Sequence, residues 1–176
     1  MNIIILGPPG SGKSTQAELL AKFMCVPCLE AGNLLYYLSQ EDSKEGRKIK
    51  KAMETGILVE GELMIEVITN QLKSPSYKNG VIIDGFPRSL TQAQQFKFPI
   101  ERVLYINVSD KENRKRLLKR GRKDDTSELI NKRLEIYHQE TEPVLEFYRQ
   151  KGILLDIDGE RPIGAIHEDI IKKIKK

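Results

Sequence analysis

The chain has 176 residues, of which 39% are hydrophobic and 31% are charged, and its formal net charge is +4. This length suits one compact domain with a real hydrophobic core, and the composition excludes both a disordered chain and an integral membrane protein. Two cysteines are too few for a disulfide scaffold, and the aliphatic run Ile3–Leu6 is too short for a signal peptide or a membrane-spanning helix. We therefore expect a cytoplasmic protein.

Strand and helix patterns alternate along the whole chain. Short apolar segments predict five strands, at 2–6, near 28–29, and at 81–83, 103–108 and 153–157. Helical patterns lie at 14–23, 33–40, 44–54, 61–73, 110–120, 126–149 and 162–174. We expect Pro143 to kink or split the helix at 126–149, and Pro162 to lie in the first turn of the last helix.

This alternation, with continuous apolar strands, is typical of an α/β fold whose parallel sheet is covered by helices on both faces. In such folds, ligands bind beyond the carboxyl ends of the strands. Gly7, Asp84 and Asp158 each lie at or just after the end of a predicted strand. We therefore expect these three residues to share one edge of the sheet.

The segment Gly7 to Ser14 fits the phosphate-binding pattern G-x-x-x-x-G-K-[ST] at every fixed position. It follows a predicted strand and precedes a predicted helix, which is the context that this pattern requires. Glycines allow backbone N–H groups to surround an anion, and the helix N-terminus adds partial positive charge. The chain is therefore predicted to bind a nucleoside triphosphate, although kinases, GTPases and motor ATPases all share this loop.

Each side chain of the loop has an expected partner on the triphosphate. Lys13 places its charge on the β- and γ-phosphates, the Ser14 hydroxyl binds Mg²⁺, and Thr15 helps to hold the α-phosphate. The residues expected to bind ATP through this loop are Gly10, Ser11, Gly12, Lys13, Ser14 and Thr15.

A second group of polar residues follows the third predicted strand, in the run Asp84-Gly85-Phe86-Pro87-Arg88. An aspartate at a strand end near a phosphate loop organises Mg²⁺, often through water. Arg88 is held by a glycine and a proline, and its guanidinium could grip a second phosphate. If 89–96 is helical, Gln92 shares a face with Arg88, and its carboxamide could bind the edge of a base. A polar side chain that is simply exposed to solvent explains Gln92 equally well.

Lys and Arg are in excess between Asp110 and Arg133. A solvated helix face explains such a stretch, and so does binding of a polyanion. Nucleic-acid binding is not expected, because the sequence has no zinc finger or RNA-recognition signature and only 6% aromatic residues.

Several motifs together resemble the adenylate kinase family of nucleoside monophosphate kinases, over nearly the whole chain. The run Asp84 to Arg88 is the most specific of them. The others are the run Gly7 to Thr15, Ala31 to Leu35, Gly56 to Val59, Gln92, Lys119 to Asp125 and Lys132 to Glu135.

The resemblance implies a P-loop NTPase fold that occupies 1–176 as a single domain, with a five-stranded parallel sheet flanked by helices. Its core would comprise 1–29, 60–119 and 134–176. A helical flap at 30–59 would bind the monophosphate, and a short lid at 120–133 would cover the triphosphate. The implied reaction transfers the γ-phosphate of ATP to a nucleoside monophosphate, with Mg²⁺ as cofactor, in a monomer that binds no membrane.

The same resemblance gives the arginines roles. Arg116 would lie against the ATP adenine, Arg120 on the ATP phosphates, and Arg122 and Arg133 between donor and acceptor phosphates. The implied catalytic residues are Lys13, Arg88, Arg120, Arg122 and Arg133. Asp124 and Asp125 would position lid arginines.

The loop 158–162, with Arg161, resembles the loop that backs the adenine of ATP. On the acceptor side, the implied monophosphate-binding residues are Ala31, Tyr36, Ile57, Leu58, Val59, Gly85, Arg88, Gln92, Arg122 and Arg133.

The acceptor flap departs from the family pattern. Tyr36 replaces an arginine that grips the acceptor phosphate, and Asn33 replaces a carboxylate near the metal. Ala31 replaces a threonine that helps to select adenine, and an alanine at this position resembles the UMP/CMP kinase branch. Gln92, in contrast, favours AMP as the acceptor. Glu30 adds negative charge where the acceptor is already anionic.

We therefore expect the reaction ATP + AMP = 2 ADP. A UMP/CMP kinase is the first alternative, and a nucleotide-binding relative with weak or lost activity is the second. Cys25 and Cys28 have C-x-x-C spacing but are expected to pack at the entry to the core, and His138 and His167 are expected at the surface.

Overall fold

The computed structural model describes residues 1–55, 57–122 and 125–175. Within this part, the chain forms the five strands expected from the sequence, with boundaries that move by about a residue. They are β1 (Asn2–Leu6), β2 (Cys28–Glu30), β3 (Val81–Asp84), β4 (Arg102–Asn107) and β5 (Leu154–Asp158).

Helices connect these strands throughout the described residues. The α-helices are α1 (Lys13–Met24), α2 (Ala31–Ser39), α3 (Lys44–Thr55), α4 (Gly61–Leu72), α5 (Leu90–Gln95), α6 (Asp110–Arg120), α7 (Ser127–Ile136), α8 (Glu142–Gln150) and α9 (Ile163–Ile174). A 3₁₀ turn lies at Pro75–Tyr77, and a π-helical segment, Tyr137–Thr141, joins α7 to α8.

The strands form one sheet in the order β2-β3-β1-β4-β5, and every neighbouring pair is parallel. Side chains alternate along the central strand, so that Ile3 and Ile5 pack into the core on one face while Ile4 and Leu6 pack into the core on the other. Helices α1 and α9 cover the first face, and α4, α5 and α8 cover the second. The predicted α/β fold with a doubly covered parallel sheet is confirmed.

The strand register brings the predicted site segments to one edge of the sheet. Ile5 pairs with Asp84, Asp84 pairs with Glu30, and Asn107 pairs with Asp158. The loops that follow β1, β3 and β5 therefore leave the sheet at the same edge, as predicted. None of the described helices has both the length and the apolar composition that a membrane crossing needs.

The helix expected at 126–149 is split, as predicted: the π-helical segment interrupts it, and Pro143 lies in the first turn of α8. Two predicted helix starts need correction. The last helix begins at Ile163, so Pro162 precedes the first turn instead of lying in it. Helix α2 begins at Ala31, before the predicted start at 33, because the chain enters the helix directly from β2.

The two cysteines carry free thiols and occupy different environments. Cys28 packs against the core at the start of β2, where burial and then the nearby Asp84 raise its pKa to about 12. Cys25 is exposed at the left-handed C-terminus of α1, with φ of 54°. The expectation of core packing is therefore right for Cys28 and wrong for Cys25, because the chain turns at Cys25 before it enters the sheet.

Candidate active site

A cleft of about 820 Å³ opens at the carboxyl edge of the sheet. The loop after β1 and the loop after β3 form its floor, and residues of α2, α6 and α7 form its walls. The cations that line it are Lys13, Arg88, Arg116, Arg120, Arg122 and Arg133. Since these residues come from segments far apart in the sequence, the fold itself gathers the positive charge.

The phosphate-binding loop, Gly7–Ser14, is tightly packed against α6. Gly10 has φ of 86°, and a Cβ there would lie 2.8 Å from the carbonyl oxygen of Asn113 and 2.9 Å from Cγ of Leu117. Glycine is therefore required at this position for both backbone conformation and space. Lys13 follows at the start of α1, with Nζ 3.4 Å from the carbonyl oxygen of Pro8, and burial lowers its pKa.

Ser14 and Asp84 meet in the cleft. The Ser14 hydroxyl donates a hydrogen bond of 2.5 Å to Oδ2 of Asp84. Asp84 is only 5% exposed, and its other oxygen, Oδ1, has no hydrogen-bond partner among the described residues. A buried carboxylate oxygen without a partner is costly, and a hard cation such as Mg²⁺ satisfies it. The residues present therefore fit the magnesium ion that the resemblance implies.

Glu30 lies beside this pair, because β2 and β3 place Glu30 opposite Asp84. Burial, and then the negative charges of Asp84 and Glu18, raise the pKa of Glu30. The Asn33 amide donates a hydrogen bond of 2.7 Å to Oε2 of Glu30. Glu30, at the start of the predicted flap, therefore places a carboxylate beside Asp84, and the side-chain amide of Asn33 is bound to it.

Arg88 is fixed by its own neighbours. Its Nε donates to the carbonyl oxygen of Gly85 at 2.7 Å, and its backbone N–H donates to Oε1 of Gln92 at 2.7 Å. Gln92 lies in α5, which Ser89 caps, and it is only 2% exposed. The oxygen of the Gln92 carboxamide is therefore already bound within the protein, although its side chain still lines the cleft.

Asp125 organises the lid arginines from a side chain with no exposed surface. Its carboxylate accepts two hydrogen bonds from Arg120, at 2.7 and 2.8 Å, and one from the backbone N–H of Arg122 at 3.2 Å. Arg133 approaches the same carboxylate at 3.5 Å. The hydrogen bonds from Arg120 are the largest cause that lowers the pKa of Asp125. The second predicted lid carboxylate, Asp124, lies outside the described residues.

Arg116 connects α6 to the phosphate-binding loop and to the loop after β5. Its Nε pairs with Glu112 at 3.0 Å, while its Nη atoms donate to the carbonyl oxygens of Ser11 at 3.4 Å and Gly159 at 3.0 Å. Arg161, in contrast, directs its guanidinium to Asp169 at 2.7 Å.

Most of the predicted site residues line the cleft, and three do not. Ser11 and Ala31 are each only 1% exposed, and the Arg161 side chain is held by its ion pairs outside the cleft. Those that line it are Gly10, Gly12, Lys13, Ser14, Thr15, Tyr36, Ile57, Leu58, Val59, Asp84, Gly85, Arg88, Gln92, Arg116, Arg120, Arg122 and Arg133.

The structure also adds residues that the sequence analysis did not single out. Thr141 and Tyr137, from the π-helical segment, line the cleft, and the Thr141 hydroxyl donates to the carbonyl oxygen of Arg88 at 2.7 Å. Lys132 reaches across to the flap and donates to the carbonyl oxygen of Thr55 at 2.6 Å. No local motif marks Thr141 or Tyr137, although the proline at 143 signals an irregular helix nearby. Lys132 belongs to the motif at 132–135, but no role was predicted for it.

Comparison with known proteins identifies the family of the chain. A family model described as adenylate kinase matches residues 5–153. The adenylate kinase of Prochlorococcus marinus (strain MIT 9211) is 41% identical over 171 residues, which cover 93% of this chain and 91% of that protein.

Two further relatives extend over almost the full length. The adenylate kinase of Trichodesmium erythraeum (strain IMS101) is 38% identical over 188 residues and covers 100% of this chain and 98% of its own. That of Caldicellulosiruptor saccharolyticus is 32% identical over 212 residues, and 99% of each chain is covered. The resemblance drawn from the motifs is confirmed, and the chain belongs to the adenylate kinase family.

Proposed function

We propose that the chain catalyses the reversible reaction ATP + AMP = 2 ADP. One observation carries this proposal: the phosphate-binding loop with Lys13, the acceptor-side Arg88 and the lid arginines all line a single cleft. The triphosphate of ATP and the phosphate of AMP would meet there and face cations from both sides. Phosphoryl transfer needs this arrangement, because negative charge spreads over the equatorial oxygens of the transferred group.

ATP would bind in the half of the cleft built from the phosphate-binding loop and α6. Backbone N–H groups of Gly10 to Gly12 and the N-terminus of α1 would surround the phosphates, with Lys13 on the β- and γ-phosphates and Thr15 on the α-phosphate. Arg116 would lie against the adenine and Arg120 on the phosphates. The loop 158–162 would back the adenine through its main chain, because the Arg161 side chain is already paired.

Magnesium would be held by the Ser14 hydroxyl and by Asp84, the latter through water. The ion would neutralise charge on the ATP phosphates when bound. The protein residues prepare the site, since Ser14 and Asp84 are already in contact and Oδ1 of Asp84 lacks a partner among the described residues.

The monophosphate would bind between the flap and the core. Arg88 would grip its phosphate, and Arg122 and Arg133 would bridge the donor and acceptor phosphates. Tyr36, Gly85 and Gln92 would surround the nucleoside, together with the run from Ile57 to Val59. Ala31, which was predicted with them, is buried at the start of α2 and does not line the cleft.

The reaction would break the bond from the γ-phosphorus to the β–γ bridging oxygen and form a bond to an oxygen of AMP. The acceptor phosphate is already an anion, so no side chain has to remove a proton. Alignment and fixed charge would therefore supply the catalysis. We further propose that the flap (30–59) and the lid (120–133) close over the core to exclude water. One chain supplies every group named here, so a monomer would suffice.

A UMP/CMP kinase is the second candidate, and Ala31 is the observation that favours it. This alanine supplies no hydroxyl at the start of α2, where the family pattern has a threonine that helps to select adenine.

A coupled assay of ADP formation with Mg-ATP and each monophosphate decides between these candidates. We expect AMP to give the highest kcat/KM. Equal or greater turnover with UMP or CMP would favour the second candidate. ATP binding without ADP formation from any monophosphate would instead show a relative that has lost kinase activity.

A further inference from the structure

The π-helical segment Tyr137–Thr141 is an irregularity within an otherwise continuous helical stretch from Ser127 to Gln150. The N–H of Glu142 donates to the carbonyl oxygen of Tyr137, which is the wide hydrogen bond of a π-helix. Pro143 follows at once. A proline has no N–H, and its ring crowds the carbonyl group four residues earlier, so a wider turn at this point relieves that contact. The turn also changes the direction in which the next residues point.

Thr141 ends this wide turn and faces the acceptor side of the cleft. Its side chain is buried, with 7% of the residue exposed, and its hydroxyl donates a hydrogen bond of 2.7 Å to the carbonyl oxygen of Arg88. The two residues are 53 positions apart in the chain. This hydrogen bond therefore joins the loop after β3 to the helical stretch that includes α7.

The Thr141 contact completes the anchoring of the Arg88 backbone. The backbone N–H of Arg88 donates to Oε1 of Gln92, and the backbone carbonyl oxygen of Arg88 accepts from the hydroxyl of Thr141. The side chain of Arg88 is held as well, because its Nε donates to the carbonyl oxygen of Gly85. Desolvation in the cleft is the main cause that lowers the pKa of Arg88, and the like charge of Arg133, on α7, lowers it further. Two cations that repel each other before a phosphate arrives need a rigid support if their spacing is to stay fixed.

We propose that Thr141 is a positioning residue that sets the place of Arg88 relative to Arg133. The inference rests on the proposed function, since it assumes that both arginines act on the acceptor phosphate. Arg133 lies on α7, just before the π-helical segment, and Thr141 ends that segment. The same stretch of chain therefore carries Arg133 and anchors Arg88. A displacement of about 1 Å at such a group can cost up to about a hundredfold in rate.

The test compares two substitutions of Thr141 in the full-length protein. Thr141→Val removes the hydroxyl at nearly constant volume, and Thr141→Ser retains it. For Thr141→Val we expect kcat/KM for AMP to fall about tenfold or more, while the Kd for ATP stays unchanged. Thr141→Ser should restore most of the loss.

A matched control separates positioning from general stability. Ile170→Val trims a fully buried residue of α9 that packs on the opposite face of the sheet. We expect it to lower Tm by an amount comparable to Thr141→Val without changing kcat/KM for AMP. An equal loss of activity in both variants would mean that Thr141 is merely structural, and the proposal would be wrong.

A second readout does not depend on turnover. In Thr141→Val, amide hydrogen exchange should become faster across residues 84–92, whereas Ile170→Val should leave that segment unchanged. Unchanged exchange and unchanged kinetics in Thr141→Val would overturn the proposal. If the wild-type protein itself forms no ADP from any monophosphate, the proposed function fails, and faster exchange at 84–92 would show that the anchoring of Arg88 survives that failure.

Discussion

The two sides of the cleft are built differently. On the donor side, the cations are held by protein groups before any ligand binds: Arg116 by Glu112 and two carbonyl oxygens, and Arg120 by Asp125. On the acceptor flap, Tyr36 stands with 54% of its surface exposed where the family pattern has an arginine. The only arginine of the flap, Arg47, is exposed and pairs with Asp42.

If the proposed function is right, this difference indicates which residues supply the charge for the acceptor phosphate. Among the described residues, each cation that lines the cleft belongs to the core or to the lid region, and none to the flap. The flap instead contributes Glu30 and Asn33, which bind each other, and apolar residues. We infer that the arginines of the core and the lid region bind the acceptor phosphate and stabilise its charge, while the flap forms the nucleoside pocket.

The largest expected effect comes from Arg88, the acceptor cation of the core. Arg88→Ala should lower kcat for ADP formation by about 10²–10³, because it removes one fixed charge from the transition state, while the Kd for ATP stays unchanged. Steady-state kinetics and calorimetric titration with ATP measure the two quantities. Arg47→Ala is the control from the flap and should change neither. Unchanged turnover in Arg88→Ala would remove this residue from the acceptor site.

The next effect tests the support on the donor side. Asp125→Asn leaves Arg120 without its buried carboxylate. We expect kcat/KM for ATP to fall about tenfold. We also expect the free energy of unfolding to fall by about 1–3 kcal/mol at neutral pH. The loss of stability should depend on pH. Because Arg120 holds the folded-state pKa of Asp125 below its usual value, the stabilisation exists above about pH 4 and disappears as the pH falls through the lowered value.

Urea unfolding of both proteins between pH 3 and pH 7 checks this dependence. The difference between wild type and Asp125→Asn should be widest near neutrality and should narrow as the pH falls below about 4. A difference that stays constant with pH would contradict the role of the Asp125 charge.

A third substitution tests the flap directly. Tyr36→Arg should lower KM for AMP about tenfold, since a hydrogen bond to a charged group is worth about 1.5–3 kcal/mol. Tyr37→Arg is a closely matched control, because Tyr37 is the adjacent residue, is 70% exposed and does not line the cleft. Equal KM values for the two variants would contradict our account of the flap.

The smallest effect concerns His138, in the π-helical segment that supports Arg88. Its imidazole lies 2.8 Å from Glu142 and 3.1 Å from Asp110, and these hydrogen bonds raise its pKa, with Glu142 the larger cause. The charged imidazole of His138 therefore stabilises the folded state fully below about pH 6.5, and this contribution is lost as the pH rises through the raised pKa of His138.

We expect His138→Gln to lower the free energy of unfolding by up to about 1 kcal/mol at pH 5.5, and by less at pH 9. Denaturant unfolding at the two pH values measures it. A loss that grows with pH would show that the contacts of the charged imidazole do not stabilise the helix. His138 is at the surface, as predicted, but its two ionic contacts were not foreseen.

Local patterns explain why much of the fold could be predicted. Strands such as Val81–Asp84 are short apolar runs, and the loop from Gly7 to Ser14 has fixed spacing, so both are read from adjacent residues. The helix at 126–149 was predicted as one kinked or split element, because proline marks an irregularity without specifying a π-helix. The exposure of Cys25 was missed because it depends on a left-handed turn that a non-glycine residue rarely adopts.

By itself, the sequence determined the order of strands and helices, the phosphate-binding loop and the family, because each depends on neighbours along the chain. Tertiary structure alone decided that Asp125 has no exposed side-chain surface beneath Arg120, that Glu30 lies opposite Asp84, and that Thr141 holds Arg88. These contacts join residues that packing brings together, and their geometry depends on strand register and helix direction. No spacing within a single segment contains that information.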